Sequence, residues 1–449
     1  MNKKRDSWSG NLAFILAGLG SAVGLGNIWR FSYMAGSNGG GSFVLIYLIS
    51  ILLIGLPVMI SEIYIGQKSQ KNVISAFETL LGRKNFWQII GVLSILTVLT
   101  ILTFYSVVGG WVLQYTFYAV STKLTQVSEN SQAFFNSLLL SPINGCVWTL
   151  IFTVLSGIIV MRGIKSGIEK VSKFLMPLLF FLILILFIWS LFLPGLKESL
   201  VYLLRPDFSK ISSESVLAAI GQAFFSLSLG MGTFITYGSY LDQSKPIGST
   251  SIWIAMGDTA VAILMGVVVF SVIFTFGFAP NSGPGLIFET LPTLFNKMPG
   301  GYLLSILFFF LVVFAAITSS ISILETAVTY FSEVTRFTRK QVTIFWTLVL
   351  GILSCLCSLS FNALSHVRIL ERFSLFDFAD FISNDIFLPT GGILITLFFG
   401  WVISKKYFDS VLKTKNKFIK FALLWSTRIV APLAILLVLI KGITSFIKG

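Results

Sequence analysis

Apolar residues run along this chain in long stretches separated by short polar segments, and that alternation predicts its architecture. A helix needs about 17–25 predominantly apolar residues to cross a bilayer. The pattern yields eleven such stretches: 11–35, 42–67, 86–120, 145–161, 167–193, 215–240, 250–279, 300–332, 342–360, 376–403 and 418–446. Several exceed the bilayer thickness and predict tilted or interrupted helices. The expectation is an all-α integral membrane protein with about eleven transmembrane helices. The longest polar connections, 121–144 and 194–214, show no separate aqueous domain.

Composition points the same way. Of 449 residues, 55% are hydrophobic and 11% charged, where a soluble domain carries about 25% charged residues. Mean hydropathy is +0.90. The net charge of +14 first suggests nucleic acid, but its distribution argues otherwise. Lys3 to Arg5, Lys68, Lys71, Arg83, Lys84, Arg162, Lys165, Arg336, Arg339, Lys340 and the basic run from Lys405 to Lys420 all fall on the side of the N-terminus. That bias is the positive-inside signature, so no nucleic-acid partner is expected. Residues 1–10 then form a cytoplasmic segment with no cleavable signal. Residues 194–214 form an extracellular loop and 404–417 a cytoplasmic one. Residues 418–449, the eleventh span and C-terminus, end outside, and the protein sits in the cell inner (plasma) membrane. Cys146, Cys355 and Cys357 lie in apolar stretches and read as small core residues. His366, in an outer loop, leaves no zinc or proton-relay cluster. No nucleophile–base pair or metal constellation suggests an enzyme.

The informative residues are polar ones inside the spans, because an ionisable group at that depth costs at least about 2.5–3.5 kcal/mol and needs a partner or a cavity. The first span carries Gly18, Gly20, Gly24 and Gly26, followed by Asn27 and Arg30. The sixth carries Ser226, Ser228, Gly230 and Gly232. Each glycine weakens a helix by about 1 kcal/mol relative to alanine. Close helix packing is one use of such residues, but it does not account for Asn27 and Arg30. An unwound segment is the other, and such backbone survives at depth only where it lines a cavity. Two interrupted spans at matching places of two five-span halves, 11–193 and 215–403, point to a binding site between inverted repeats. Asp258 in the seventh span needs a cation or a proton, and no lysine or arginine lies near it in sequence. Asn27, Ser226 and Asp258 are all oxygen donors, which suit a hard cation. Thr318, Ser319 and Ser320 place adjacent hydroxyls in the eighth span. Tyr105 lies mid-span in the third. Glu62, Glu325, Asp377 and Asp380 are further acids for gates, networks or helix ends.

The run Gly20-Ser-Ala-Val-Gly-Leu-Gly-Asn-Ile-Trp-Arg-Phe31, the segment Asn38-Gly39-Gly40-Gly41-Ser42-Phe43, the sixth-span Ser226-Leu-Ser-Leu-Gly-Met-Gly232 and Thr318-Ser319-Ser320 together resemble the signature of the neurotransmitter:sodium symporter family. The eleven-span pattern resembles its bacterial branch of leucine, tyrosine and multi-hydrophobic-amino-acid transporters.

That resemblance implies a leucine-transporter-type fold with spans one and six unwound. It implies sodium-coupled import of an amino acid, large and hydrophobic or aromatic, by alternating access. The substrate carboxylate would meet N–H groups around Ala22 and Gly26 and the Tyr105 hydroxyl; its ammonium would meet carbonyls near Phe225 and Ser228. The side-chain pocket would comprise Val23, Ile101, Tyr105, Phe225, Ser228, Met231, Gly232, Ser320 and Ile323. One Na+ would be held by Ala22, Asn27, Ser226 and Asp258. A second would be held by Gly20, Val23, Ala315, Thr318 and Ser319. No organic cofactor is expected. An outer gate would pair Arg30 with Asp380 beneath the Phe225 lid, and an inner gate Arg5 with Glu333 near Tyr240. Gly167 and Pro177 would let the inner end of the fifth span unwind, with a simple kink as the alternative. Ala262 stands where some relatives have a carboxylate, so Asp258 would supply the negative charge that others take from chloride. A non-transporting sensor and a proton-driven carrier are the competing readings. The gate residues argue against the first, and Thr318 with Ser319 against the second.

Overall fold

The structure is a computed structural model describing residues 6–126, 131–280, 283–403 and 417–448. Those residues are almost wholly helical; an isolated antiparallel bridge between Ile369 and Phe373 is the β-structure among them. Among the described residues nine helices are long and apolar enough to cross a membrane: Gly41–Ser69, Gln88–Val120, Pro142–Met161, Ile164–Ser190, Ile247–Thr275, Gly301–Val334, Arg339–Leu359, Leu375–Val402 and Lys420–Ile447. A tenth crossing consists of Asn11–Ala22 and Gly26–Ser37, bent by 54° at the break. The predicted sixth span appears as two shorter helices, Ser213–Ser226 and Thr233–Gly238, with irregular backbone between them. Nine or ten crossings are thus recognised among the described residues, against the eleven expected.

Local chemistry sets several helix ends. The Ser212 hydroxyl accepts from the Ser215 N–H at 3.1 Å while Ser215 Oγ accepts from Ser212 N–H at 2.9 Å. Thr338 and Gln341 make the same reciprocal pair. Each box satisfies donors that the first helical turn leaves unpaired. The fifth span, whose inner end Gly167 and Pro177 would let unwind, is helical in this structure from Ile164 to Ser190, starting as a π turn at Ile164–Ile168 and carrying Pro177 inside it. Proline removes a single N–H, and neighbouring turns carry the helix past it.

Burial separates the spans into two layers. In their most apolar stretches the second, third, seventh and eighth spans are 61–72% buried, whereas the fourth, fifth, ninth and eleventh are 22–39% buried. The outer layer presents Ile143, Phe174, Phe181, Leu348, Ile352 and Leu437. Such apolar surface suits lipid. The inner layer surrounds the two broken spans.

Among the described residues six short stretches wind as π-helix, and three of them meet: Ile51–Gly55, Phe398–Val402 and Ser426–Val430. A π turn leaves carbonyls poorly matched to their own helix, and here the neighbours use them. Arg428 Nε donates to the Gly400 carbonyl at 2.6 Å, Trp401 Nε1 donates to the Arg428 carbonyl at 3.3 Å, and Ser426 Oγ donates to the Leu53 carbonyl. The Arg428 guanidinium also lies 5.1 Å from the Trp401 ring. This accounts for an arginine well inside an apolar stretch.

The second span packs on the second half-helix of the sixth, Thr233–Gly238, through glycines. A Cβ at Gly238 would lie 2.7 Å from the Ile63 carbonyl oxygen, and one at Gly66 would strike the Ile235 backbone. We expect Gly238→Val to destabilise the protein by about 1–3 kcal/mol through overpacking, read as a lower unfolding midpoint in detergent. An unchanged midpoint would mean that the two helices separate there.

Candidate functional site

The first span stops at Ala22 because Val23 turns extended, at φ −70° and ψ 103°. The chain resumes as a π turn at Gly26–Arg30. The sixth span stops at Ser226 and crosses three left-handed residues, Ser228 (φ 54°), Gly230 (φ 85°) and Gly232 (φ 70°). Glycine adopts that conformation without strain; Ser228 does not, and a non-glycine residue there costs of order 1–3 kcal/mol. Its compensation is visible: Ser228 Oγ donates to the Ser21 carbonyl freed by the other break, at 2.8 Å. Glu62 Oε1 accepts the Gly230 N–H at 2.7 Å. The two interruptions thus face and partly satisfy each other.

Asp258 lies between them. Its Oδ1 accepts from Asn27 Nδ2 at 2.7 Å and its Oδ2 from Ser226 Oγ at 2.7 Å. Asn27 Nδ2 also reaches Ser226 Oγ at 3.0 Å. Tyr47 OH stands 3.5 Å from Asp258 Oδ2. All four side chains are buried, and no ion pair to Asp258 occurs among the described residues. The amide nitrogen of Asn27 faces the carboxylate, while its Oδ1 takes the Gly24 N–H at 3.1 Å. Turning the amide over would present the oxygen instead. The result is one carboxylate among neutral oxygens, a donor set suited to a hard monovalent cation. No cluster of three or more His, Cys, Asp or Glu occurs among the described residues.

A second oxygen-rich point lies one turn away on the first span. Ser319 Oγ stands 3.4 Å from the Gly20 carbonyl, 3.3 Å from that of Ser21 and 3.4 Å from that of Val23. Its one hydroxyl proton serves one of the three. Thr318 Oγ1 lies beside them, 3.1 Å from the Ala315 carbonyl. The expected set Gly20, Val23, Ala315, Thr318 and Ser319 is therefore brought together, with more acceptors than donors. Met176 of the fifth span packs near Gly20.

Between the breaks lies a cavity of ≈ 40 Å³ lined by Ala22, Gly24, Leu25, Gly26, Ile101, Phe104, Tyr105, Phe225, Ser226, Ser228, Met231, Ser319, Ile323 and Leu388. The Tyr105 hydroxyl is buried and directed at the Leu25 backbone and Ser319, without a hydrogen bond of good geometry. Of the expected pocket residues, Ile101, Tyr105, Phe225, Ser228, Met231 and Ile323 line the wall with Ala22 and Gly26. Three do not. Ser320 donates to Ser156 Oγ of the fourth span at 2.9 Å, because the helical turn after Ser319 points it away. Gly232 packs against Val73 and Ser94. Val23 is fully buried and contributes its carbonyl. Sequence reading missed Tyr47, Gln222, Phe104 and Leu388. A tyrosine and a glutamine inside apolar spans were available signals; for Leu388 there was none. Gln222 Nε2 donates to the Gly26 carbonyl at 2.9 Å and so supports the first break.

Beyond Phe225 opens a vestibule of ≈ 320 Å³ lined by Arg30, Tyr33, Asp377, Asp380, Asn384 and Asp385 among others. Arg30 and Asp380 share it, but they form no ion pair. The Arg30 guanidinium sits 4.4 Å from the Phe225 ring centre, and Asp380 Oδ1 accepts from Asn384 at 2.6 Å. The expected outer gate is thus unpaired in this structure. At the opposite end, Arg5 lies outside the described residues. Glu333 accepts from Asn72 Nδ2 at 2.9 Å. Tyr240 donates to Glu325 at 2.9 Å, and Glu325 pairs with Arg339. Trp8 and Ser9 close the same end: Trp8 Nε1 donates to the Tyr237 carbonyl at 3.0 Å, and Ser9 N–H to Glu169 at 2.9 Å.

Two interrupted helices meeting around a buried carboxylate, inside a bundle of membrane-length helices, define a membrane carrier of the leucine-transporter fold. Comparison with known proteins agrees. The sequence profile of the sodium:neurotransmitter symporter family matches residues 5–137 and 131–448. The chain is 36% identical over 452 residues to the uncharacterized sodium-dependent transporter YhdH of Bacillus subtilis, covering 99% of each. It is 34% identical over 458 residues to an uncharacterized sodium-dependent transporter of Haemophilus influenzae, covering 98% of this chain and 99% of that one. The crystal structure of MhsT in complex with L-phenylalanine superposes with a TM-score of 0.89 at 40% identity, covering 98% of this chain and 100% of that one. The chain belongs to the sodium:neurotransmitter symporter family and is a sodium-dependent membrane transporter.

We expect Tyr105→Phe to leave the stability of the ligand-free protein unchanged or raised by up to about 1 kcal/mol, read from its unfolding midpoint, since a buried hydroxyl without a partner carries a desolvation cost. A loss beyond that would mean that the hydroxyl is already bonded.

Proposed function

We propose that this transporter is a symporter that couples inward sodium movement to import of a large hydrophobic or aromatic L-amino acid, without chloride. The observation that carries the reading is the pair of facing helix breaks with Asp258, Asn27 and Ser226 between them, beside a cavity whose deep wall is apolar. The amino-acid carboxylate binds to N–H groups between Ala22 and Gly26 and to the Tyr105 hydroxyl, where helix ends offer free donors. The ammonium binds to carbonyls near Phe225 and Ser228. The side chain lies against Ile101, Phe104, Met231, Ile323 and Leu388. At 40% identity, the L-phenylalanine bound by MhsT supports that substrate class. A cavity of ≈ 40 Å³ is too small for such a side chain, so loading displaces the Phe225 ring towards the vestibule.

One sodium ion sits among Ala22, Asn27, Ser226 and Asp258, and the second among Gly20, Val23, Ala315, Thr318 and Ser319. Both sites draw on the first-span break, as the substrate does. Each ligand thereby stabilises the backbone that the other needs, and the coupling is reciprocal. Asp258 provides the fixed negative charge, and Ala262, one turn later, adds none. The outer gate closes when Arg30 leaves the Phe225 ring for Asp380. The inner gate pairs Arg5 with Glu333 near Tyr240. The halves 11–193 and 215–403 move about the shared site. The protein lies in the inner (plasma) membrane with its N-terminus in the cytoplasm and its C-terminus outside.

The test is uptake of labelled tyrosine, tryptophan and leucine into proteoliposomes under an inward sodium gradient, with potassium replacing sodium as the control and pH gradients of either sign alongside. We expect accumulation that requires sodium. Asp258→Asn keeps the shape and removes the charge; we expect sodium affinity to fall at least about ten-fold, roughly 1.4 kcal/mol. Thr318→Ala should weaken it at the second site. Binding without uptake would leave a sensor, and proton-driven uptake would reassign the ion at Asp258. Replacing chloride by gluconate at constant sodium should not change the rate; a loss of uptake would remove Asp258 from its role as chloride's substitute.

A further inference from the structure

The fourth and ninth spans run antiparallel and lie unusually close. Gly145 faces Ser358, where an added Cβ would sit 2.6 Å from the hydroxyl oxygen, and Gly351 faces Leu150 at 3.0 Å. Gly157 faces Thr347, whose Cβ would be 3.2 Å away. Small residues on both helices let the backbones approach. Inside this narrowed seam lie two of the three cysteines. Cys146 Sγ is 3.9 Å from the Cys355 carbonyl, and Cys355 Sγ is 3.9 Å from the Cys146 carbonyl. Each is only partly buried. Cys146 lies one turn inside the start of Pro142–Met161, and Cys355 one turn inside the end of Arg339–Leu359. The pair therefore sits at a single depth, near one rim of the bundle. Cys357 is buried and turned elsewhere, its Sγ 3.9 Å from the Leu375 carbonyl.

We propose that Cys146 and Cys355 form a thiol pair that closes to a disulfide and staples the fourth span to the ninth. The pairing rests on helix packing alone; its placement on the extracytoplasmic rim, where disulfides persist, rests on the topology proposed above. The reaction is thiol–disulfide exchange with an oxidising disulfide on that side. One cysteine thiolate attacks a sulfur of the carrier, breaking its S–S bond and forming a mixed disulfide. The other then attacks the protein sulfur of that bond, forms the Cys146–Cys355 link and releases the second carrier thiolate. The protein loses two electrons and two protons, and the carrier disulfide becomes two thiols. Neither cysteine lines the cavity or either oxygen cluster, so the staple acts on the helices around the site.

The experiment is thiol counting on the full chain in nanodiscs, before and after oxidised glutathione or diamide, with maleimide labelling in denaturant and peptide mapping under non-reducing conditions. We expect the three labelled thiols to fall to one, Cys357, with a monomeric product carrying the Cys146–Cys355 cross-link and reversal by dithiothreitol. Cys357→Ser should still close the link. Cys146→Ser and Cys355→Ser, each checked as monodisperse by gel filtration, should leave both remaining thiols free. Three labelled thiols after oxidation, a link through Cys357, or cross-linked dimers would overturn the proposal. Adding an oxidant that cannot cross the membrane to intact cells tests the side separately. Failure there, with closure in nanodiscs, would reverse the topology and leave the pair standing.

Discussion

A backbone carbonyl or N–H at membrane depth costs several kcal/mol when it has no partner. The centre of this protein depends on that constraint. Two helices stop midway, and the groups they release are taken up by very few side chains. Ser228 and Ser319 reach the carbonyls of the first break, Glu62 holds an N–H of the second, and Gln222 holds the Gly26 carbonyl. The satisfaction is incomplete in one direction. Around Ser319 three carbonyls compete for one proton, and the Tyr105 hydroxyl faces the cavity without a bond. A pocket with spare acceptors at one point and a spare hydroxyl at another is prepared for a cation and for a polar group of a solute.

The buried charges obey the same accounting, with different solutions. Arg339 neutralises Glu325 directly. Arg428 sits on a carbonyl and an aromatic face. Asp258 has neither a lysine nor an arginine partner among the described residues; amide and hydroxyl donors surround it. A lone carboxylate so placed is stabilised further by any cation that enters. The contrast separates acids that brace the bundle from the acid we propose for the ligand site.

The helices around the breaks divide the work by burial. The second, third, seventh and eighth spans form the close wall, while the fourth, fifth, ninth and eleventh leave more than half of their most apolar stretches unburied by protein. Glycine contacts between the second span and the sixth tie the shorter half-helix, Thr233–Gly238, to a long neighbour. That half-helix has six residues, too few to stand alone, so its position is borrowed from the second span.

The sequence alone determined the spans, the two places where they break, and most of the polar residues at the breaks. It could do so because lipid permits few backbone solutions, and glycines beside Asn27, Arg30 and Ser226 in an apolar run are improbable without a use. It also marked Asp258, Thr318 and Ser319, since polar side chains stand out at that depth. Tertiary structure alone decided which way each side chain turns. Ser320 follows Ser319 by one residue, yet the helical rotation sends it to Ser156. Arg30 shares a vestibule with Asp380 but rests on Phe225. Leu388 enters the cavity wall although nothing in its own stretch of sequence marks it for the site. Cys146 and Cys355, more than two hundred residues apart in the chain, meet because glycines let two helices close on each other. Such contacts arise from helix rotation and from packing between distant segments, and neither is encoded in the local order of apolar and polar residues.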